Sequence, residues 1–135
     1  MEAYKHTVQY YETDKMGITH HSNYIRWMEE ARIDFLRQIG WGFDKLEELG
    51  IVSPVVEVSC KYKNSTTFAE DVLIDVSIAE FKGVKLILHY VMKNKDGKLV
   101  AEAESVHCFL SIDGRLLRLA KEFPEFNDAI NKYIV

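Results

Sequence analysis

Residues 22–40 read SNYIRWMEEARIDFLRQIG, and the spacing of their apolar side chains decides the fold. From Tyr24 the larger apolar residues recur as Trp27, Met28, Ala31, Phe35, Leu36 and Ile39, a 3.6-residue period that predicts a helix of about four turns ended at Gly40. Ser22 or Asn23 is expected as its N-cap, offering a side-chain oxygen to the unpaired amides of the first turn. A helix with so long an apolar stripe needs a core role, packed against another layer.

That layer is legible on both sides of the helix. Upstream, Tyr4, His6, Val8 and Tyr10 alternate with Lys5, Thr7, Gln9 and Tyr11, which predicts a first strand; residues 12–17, ETDKMG, lose the alternation and form a loop into the helix. Downstream, a shorter helix covers residues 43–49 and closes at Gly50. Alternation then returns in four runs: Val56 to Tyr62, Val72 to Ile78, Val84 to Met92, and Val100 to Ile112. Lys82-Gly83 and Lys95-Asp96-Gly97 read as hairpin turns, so these strands are expected to follow one another as an antiparallel meander. Leu116 to Leu119 can extend the sheet, and residues 124–133 read as a terminal helix behind Pro124. With no repeat or linker, residues 1–135 are expected to form a single α+β domain, a sheet of about five antiparallel strands wrapped around one central helix.

Composition narrows the function by exclusion. The 135 residues are 47% hydrophobic and 28% charged, ordinary values for a folded globular chain. A formal net charge of −4, with basic residues dispersed among acidic ones, argues against a nucleic-acid partner. Cys60 and Cys108 have no metal-ligand or CxxC spacing and read as reduced, structural thiols. The first fourteen residues carry charge throughout, and no run approaches the ~18 apolar residues of a membrane span, so a soluble, cytoplasmic protein is expected.

Chemistry enters at residues 12–32. Thr13-Asp14, Gly17-Ile18, His21, Asn23 and Tyr24 stand in the order and spacing of a known signature: the segment resembles the hotdog-fold acyl-CoA thioesterases related to 4-hydroxybenzoyl-CoA thioesterase. The nearest branch looks like the short- to medium-chain acyl-CoA thioesterases. Thr19, where the family usually has an apolar branched residue, and Ala120, where a proline often follows the last strand, depart from the pattern without removing a reactive group. The resemblance implies a hotdog fold and hydrolysis of acyl-CoA to free acid and coenzyme A, without a metal or redox cofactor. It implies Asp14 as the catalytic carboxylate, acting as nucleophile or as general base on a water, and the amide of His21 as the group that polarises the thioester carbonyl. Gly17 would let the loop fold back toward the helix, Asn23 would brace that loop, Tyr24 would line the acyl pocket, and Lys82, ahead of Lys61, Lys63 and Lys85, would meet the nucleotide end of coenzyme A. Because family active sites lie between subunits, a homodimer or homotetramer is implied, and acyl carrier protein is a further candidate partner.

Competing interpretations stay open at this stage. Glu29 and Arg32 are spaced for an exposed ion pair, although Glu29 can also serve as a second pocket carboxylate. His20 and His21 with Asp14 suggest a metal site, but adjacent histidines point apart and no third His or Cys has ligand spacing. His6, His89 and His107 read as packed or surface histidines on strands. Two rival functions keep the fold: a non-catalytic module that binds acyl-CoA or acyl carrier protein, and an enoyl-thioester hydratase.

Overall fold

The structure, a computed structural model, describes residues 1–134. In chain order its elements are β1 (Tyr4–Thr7), a 3-10 turn (Tyr10–Glu12), α1 (Ser22–Gln38), α2 (Phe43–Glu48), β2 (Ile51–Val52), β3 (Val55–Tyr62), β4 (Asp71–Lys82), β5 (Lys85–Asn94), β6 (Leu99–His107), β7 (Leu110–Ser111), α3 (Leu119–Glu122) and α4 (Pro124–Lys132). The main sheet is antiparallel with the order β1-β4-β5-β6-β3, and β2 pairs separately with β7.

The apolar stripe of α1 makes the core. Trp27, Met28, Ala31, Phe35 and Leu36 are buried in one cluster with the inward-facing residues of the sheet, among them Ile74, Leu88, Tyr90, Met92 and Ala101. Each large apolar side chain so buried contributes roughly 1.5–3 kcal/mol, and burial of the stripe fixes both the position and the rotation of the helix.

Three expectations need correction. Only β4, β5 and β6 form a meander; β3 pairs with β6 instead of β4, so the chain crosses the end of the sheet through residues 63–70. Two- and four-residue turns with a positive-φ glycine at Gly83 and Gly97 enforce neighbours, whereas an eight-residue connection does not. The first strand is shorter than its alternation, because Val8 pairs with the backbone of Ala69 and Glu70 and the chain then coils into the 3-10 turn. The last run is broken after His107: Phe109 drops into the core, β7 joins β2, and Leu116 makes only an isolated bridge to Leu110 before α3 begins, so residues 116–119 do not extend the main sheet.

One polar island interrupts the core. Arg32 is buried and points inward, its Nη1 donating to His107 Nδ1 at 2.8 Å, so the expected exposed ion pair with Glu29 is not formed. A guanidinium only donates, which leaves the imidazole proton on Nε2 to donate to Ser105 Oγ at 2.7 Å; Ser105 in turn bonds the Tyr90 hydroxyl at 2.6 Å. Burial first, and then the Arg32 charge, push His107 down to about 4. An unfolded chain binds this proton from about pH 6.5 downward and the native chain does not, so stability is lost as pH falls. The expected loss between pH 6.5 and 5, read from urea unfolding, is about 2 kcal/mol. The variant His107→Gln is expected to flatten that slope.

Candidate active site

The loop after β1 is a small closed ring. Thr13 and Thr19 bridge across its neck, the Asp14 amide donates to the Ile18 carbonyl at 2.9 Å, and the Gly17 amide donates to the Asp14 carbonyl at 3.0 Å. Gly17 sits at φ +81°, in the left-handed region that strains other residues, so the turn depends on glycine. Within the ring Asp14 Oδ1 accepts the Met16 amide at 2.8 Å, which orients a half-buried carboxylate.

The start of α1 is fastened from below. Glu12 uses its carbonyl to accept the His20 amide at 2.8 Å and Asn23 Nδ2 at 3.0 Å. Its carboxylate accepts His6 Nε2, the Gln9 amide and Trp27 Nε1, each at 2.8 Å. Burial alone would raise this carboxyl, but the donors from Gln9, His6 and Trp27 outweigh burial and hold it below its usual range.

The N-cap is His21, with Ser22 and Asn23 inside the helix, a correction to the expected cap. Asn23 turns its amide down to Glu12 and His20 instead of back to its own helix. Ser22 donates its amide to His20 Nδ1 at 3.3 Å, and the Asn23 and Tyr24 amides donate to the carbonyls of His20 and His21. The His21 amide has no hydrogen-bond partner among the described residues. It stands as an open donor at the positive end of a 17-residue helix.

Asp14 and His21 border one cleft of about 430 Å3, with Tyr24, Tyr62, Lys63 and Asn64 completing most of its wall. Tyr62 donates its hydroxyl to the His21 carbonyl at 3.2 Å and packs edge-on to Tyr24, whose hydroxyl meets Thr66 Oγ1 at 3.1 Å. Burial pushes both phenols up, so each stays protonated at neutral pH. Thr66 is fully buried and also bonds Thr19 Oγ1 at 2.7 Å, which gives the hydroxyl at position 19 its partner. The start of the crossover, Lys63 to Ser65, lines the cleft, and Thr66 behind it ties the crossover to Thr19 and Tyr24.

Of the residues singled out in the sequence, Asp14, His21 and Tyr24 come together in this cleft, Gly17 shapes the loop, and Asn23 lies buried beneath it. Lys82 does not line the cleft; it ends the β4–β5 hairpin, exposed and paired with Glu80 at 3.3 Å. His20 and His21 stack at 4.3 Å, and among the described residues no group of three or more His, Cys, Asp or Glu is placed to hold a metal ion. Glu12, Tyr62 and Thr66 escaped the sequence reading. For Glu12 a signal was present: a glutamate three residues after Gln9, ahead of a tryptophan whose buried N–H needs an acceptor.

The chain has relatives of known sequence and fold. YneP of Bacillus subtilis is 32% identical over 126 residues, 93% of this chain and 91% of that protein. The acyl-CoA thioester hydrolase YbgC of Escherichia coli O6:H1 is 25% identical over 97 residues, 72% of each chain. The crystal structure of DHNA-CoA thioesterase from Staphylococcus aureus superposes with a TM-score of 0.92 at 29% identity, covering 97% of this chain and 89% of that one. The family model described as the thioesterase-like superfamily matches residues 8–132, a span that contains the Asp14 loop, α1 and the whole meander. The chain belongs to the thioesterase-like superfamily and has its hotdog fold.

Proposed function

We propose that this chain hydrolyses acyl-CoA thioesters to a carboxylic acid and coenzyme A, with Asp14 as nucleophile or general base and the His21 amide polarising the thioester carbonyl. The class of enzyme, a thioester hydrolase, follows from the family and its named members. The assignment of residues rests on one observation: a half-buried carboxylate and an unpartnered helix-terminal amide border the same cleft. A thioester asks for little more. Its carbonyl carbon needs a nucleophile, its oxygen needs a donor as negative charge develops, and its thiolate departs without protonation. A donor of this kind is worth about 3 kcal/mol in the transition state. Tyr24 and Tyr62 wall the acyl group, and Lys63, at the mouth of the cleft, suits the phosphates of coenzyme A.

The test is thiol release from a panel of acyl-CoAs of varied chain length, including aromatic members. Release from at least one class is expected. Tight binding of every ester with no thiol released would favour a binding module, and consumption of an enoyl-CoA without thiol would favour a hydratase.

The active form is a homodimer in this proposal. Edge strand β3 leaves Val56 64% exposed, Tyr62 46% exposed and Val58 38% exposed, and an eight-residue edge with these apolar side chains in the open invites pairing with another copy. Light scattering is expected to give twice the 15.7 kDa of one chain. Val56→Asp is expected to shift the protein toward monomer and to lower thiol release at least tenfold at low protein concentration.

A further inference from the structure

Thr66, in the crossover between β3 and β4, is fully buried, and its hydroxyl is the middle member of a chain of three. It lies 2.7 Å from Thr19 Oγ1 and 3.1 Å from the Tyr24 hydroxyl, while Thr19 Oγ1 reaches the Thr66 carbonyl at 3.3 Å. The Thr19 amide donates to that same carbonyl at 2.9 Å. Among the described residues the Tyr24 hydroxyl has no hydrogen-bond partner besides Thr66. Thr19 and Tyr24 are themselves buried, and both line the Asp14 cleft, one from the loop and the other from α1. Thr66 stands behind that wall, next to Ser65, which lines it.

We propose that Thr66 is a positioning residue for the thioester hydrolysis: its hydroxyl locks the neck of the Asp14 loop to the first turn of α1, so that the carboxylate and the His21 amide stay aimed at one point. The inference rests on the role assigned to Asp14 in that reaction. Thr19 is the neck, bridged to Thr13, while Asp14 is bonded through its amide to Ile18, the residue before Thr19. Tyr24 is the third residue of α1, which begins directly after His21. Valine would fill the volume of Thr66, so packing alone does not call for a hydroxyl here. What calls for it is the pair of buried hydroxyls, on Thr19 and Tyr24, that meet on it. The Asp14 carboxylate is held by one amide within its own ring, so its aim follows wherever the ring sits. A misplacement of about 1 Å at a reacting group costs on the order of 10^2 in rate. Glu12 fastens the base of this unit, and Thr66 is its tie to the crossover.

The experiment is steady-state thiol release by the full chain, on the acyl-CoA that the wild type hydrolyses fastest, at temperatures where every variant is folded. Thr66→Val is expected to lower kcat roughly 10- to 100-fold and to leave KM within about threefold. Thr66→Ser, which keeps the hydroxyl, is expected to recover kcat to within about threefold of wild type. Thr67→Val, at the exposed neighbouring position, is expected to leave it unchanged. If Thr66→Val fails to fold, Thr66→Ala removes the same hydroxyl without added bulk. In an Asp14→Asn background Thr66→Val is expected to change the residual kcat less than about twofold, because aim matters only while the carboxylate is present; a merely structural role would lower it by the full factor again. The proposal is overturned by a kcat for Thr66→Val within twofold of wild type, by a loss that Thr66→Ser does not recover, or by a loss repeated in full in Asp14→Asn. Unchanged turnover in Asp14→Asn would overturn the role of Asp14 and this proposal with it, whereas a large loss there beside a fully active Thr66→Val overturns this proposal alone.

Discussion

Asp14→Asn is expected to lower kcat for acyl-CoA hydrolysis by roughly 10^2–10^4 while leaving the affinity for the ester within about threefold. The change is isosteric, and the asparagine oxygen still accepts the Met16 amide, so the ring closed by Asp14, Gly17 and Ile18 keeps its shape. What disappears is the negative charge, needed whether the carboxylate attacks the carbonyl carbon or takes a proton from water. Stopped-flow thiol release gives kcat, and equilibrium titration with a non-hydrolysable thioether gives affinity. Unchanged turnover would remove Asp14 from the chemistry. A loss confined to affinity would make it a binding residue.

The largest effect on stability is expected at Glu12. Its side chain is almost fully buried, and its carboxylate satisfies three donors, from His6, Gln9 and Trp27, while its backbone carbonyl holds His20 and Asn23. Glu12→Ala leaves the buried Trp27 N–H without an acceptor and takes from His6 its Nε2 partner, leaving the ring only its Nδ1 contact with Glu30, at a cost on the order of 3–5 kcal/mol. Glu12→Gln keeps the shape and part of the bonding and should cost about 1–3 kcal/mol. Because the same residue ties β1, the Asp14 loop and the first turn of α1 into one unit, Glu12→Gln should also reduce kcat at temperatures where the variant is fully folded. Urea unfolding and thiol release on one preparation check both. The effect has a pH sign: a carboxyl held below its usual range stabilises the fold above about pH 4.5, and that contribution is lost as pH falls further.

Much of this arrangement could be read from residue spacing, and the parts that could not share a cause. The helix was legible because Trp27, Met28, Ala31, Phe35 and Leu36 obey one period and all are buried. The loop was legible because a glycine closes it at positive φ. Alternation in β3 fixed which side chains share a face but not which strand lies beside it; that neighbour is set by an eight-residue crossover whose Thr66 and Ala69 bond to Thr19 and Val8 far back in the chain. Arg32 illustrates the same limit. Its charge and its spacing from Glu29 suggest an exposed ion pair, but Met28 and Phe35 put position 32 on the buried face, and its partner His107 is 75 residues away. Glu12 looks like an ordinary loop acid until His6 and Trp27 converge on it. Local periodicity carries faces and turns, whereas partners distant in sequence appear only once the layers are packed.

The most direct measurement is a crystal structure of Asp14→Asn with an intact acyl-CoA bound. The thioester oxygen should lie roughly 3 Å from the His21 amide nitrogen, with the side chain at position 14 facing the carbonyl carbon and the acyl group between Tyr24 and Tyr62. A thioester seated away from the start of α1, with that amide turned to water, would contradict the shared use of carboxylate and helix end on which the proposed reaction depends.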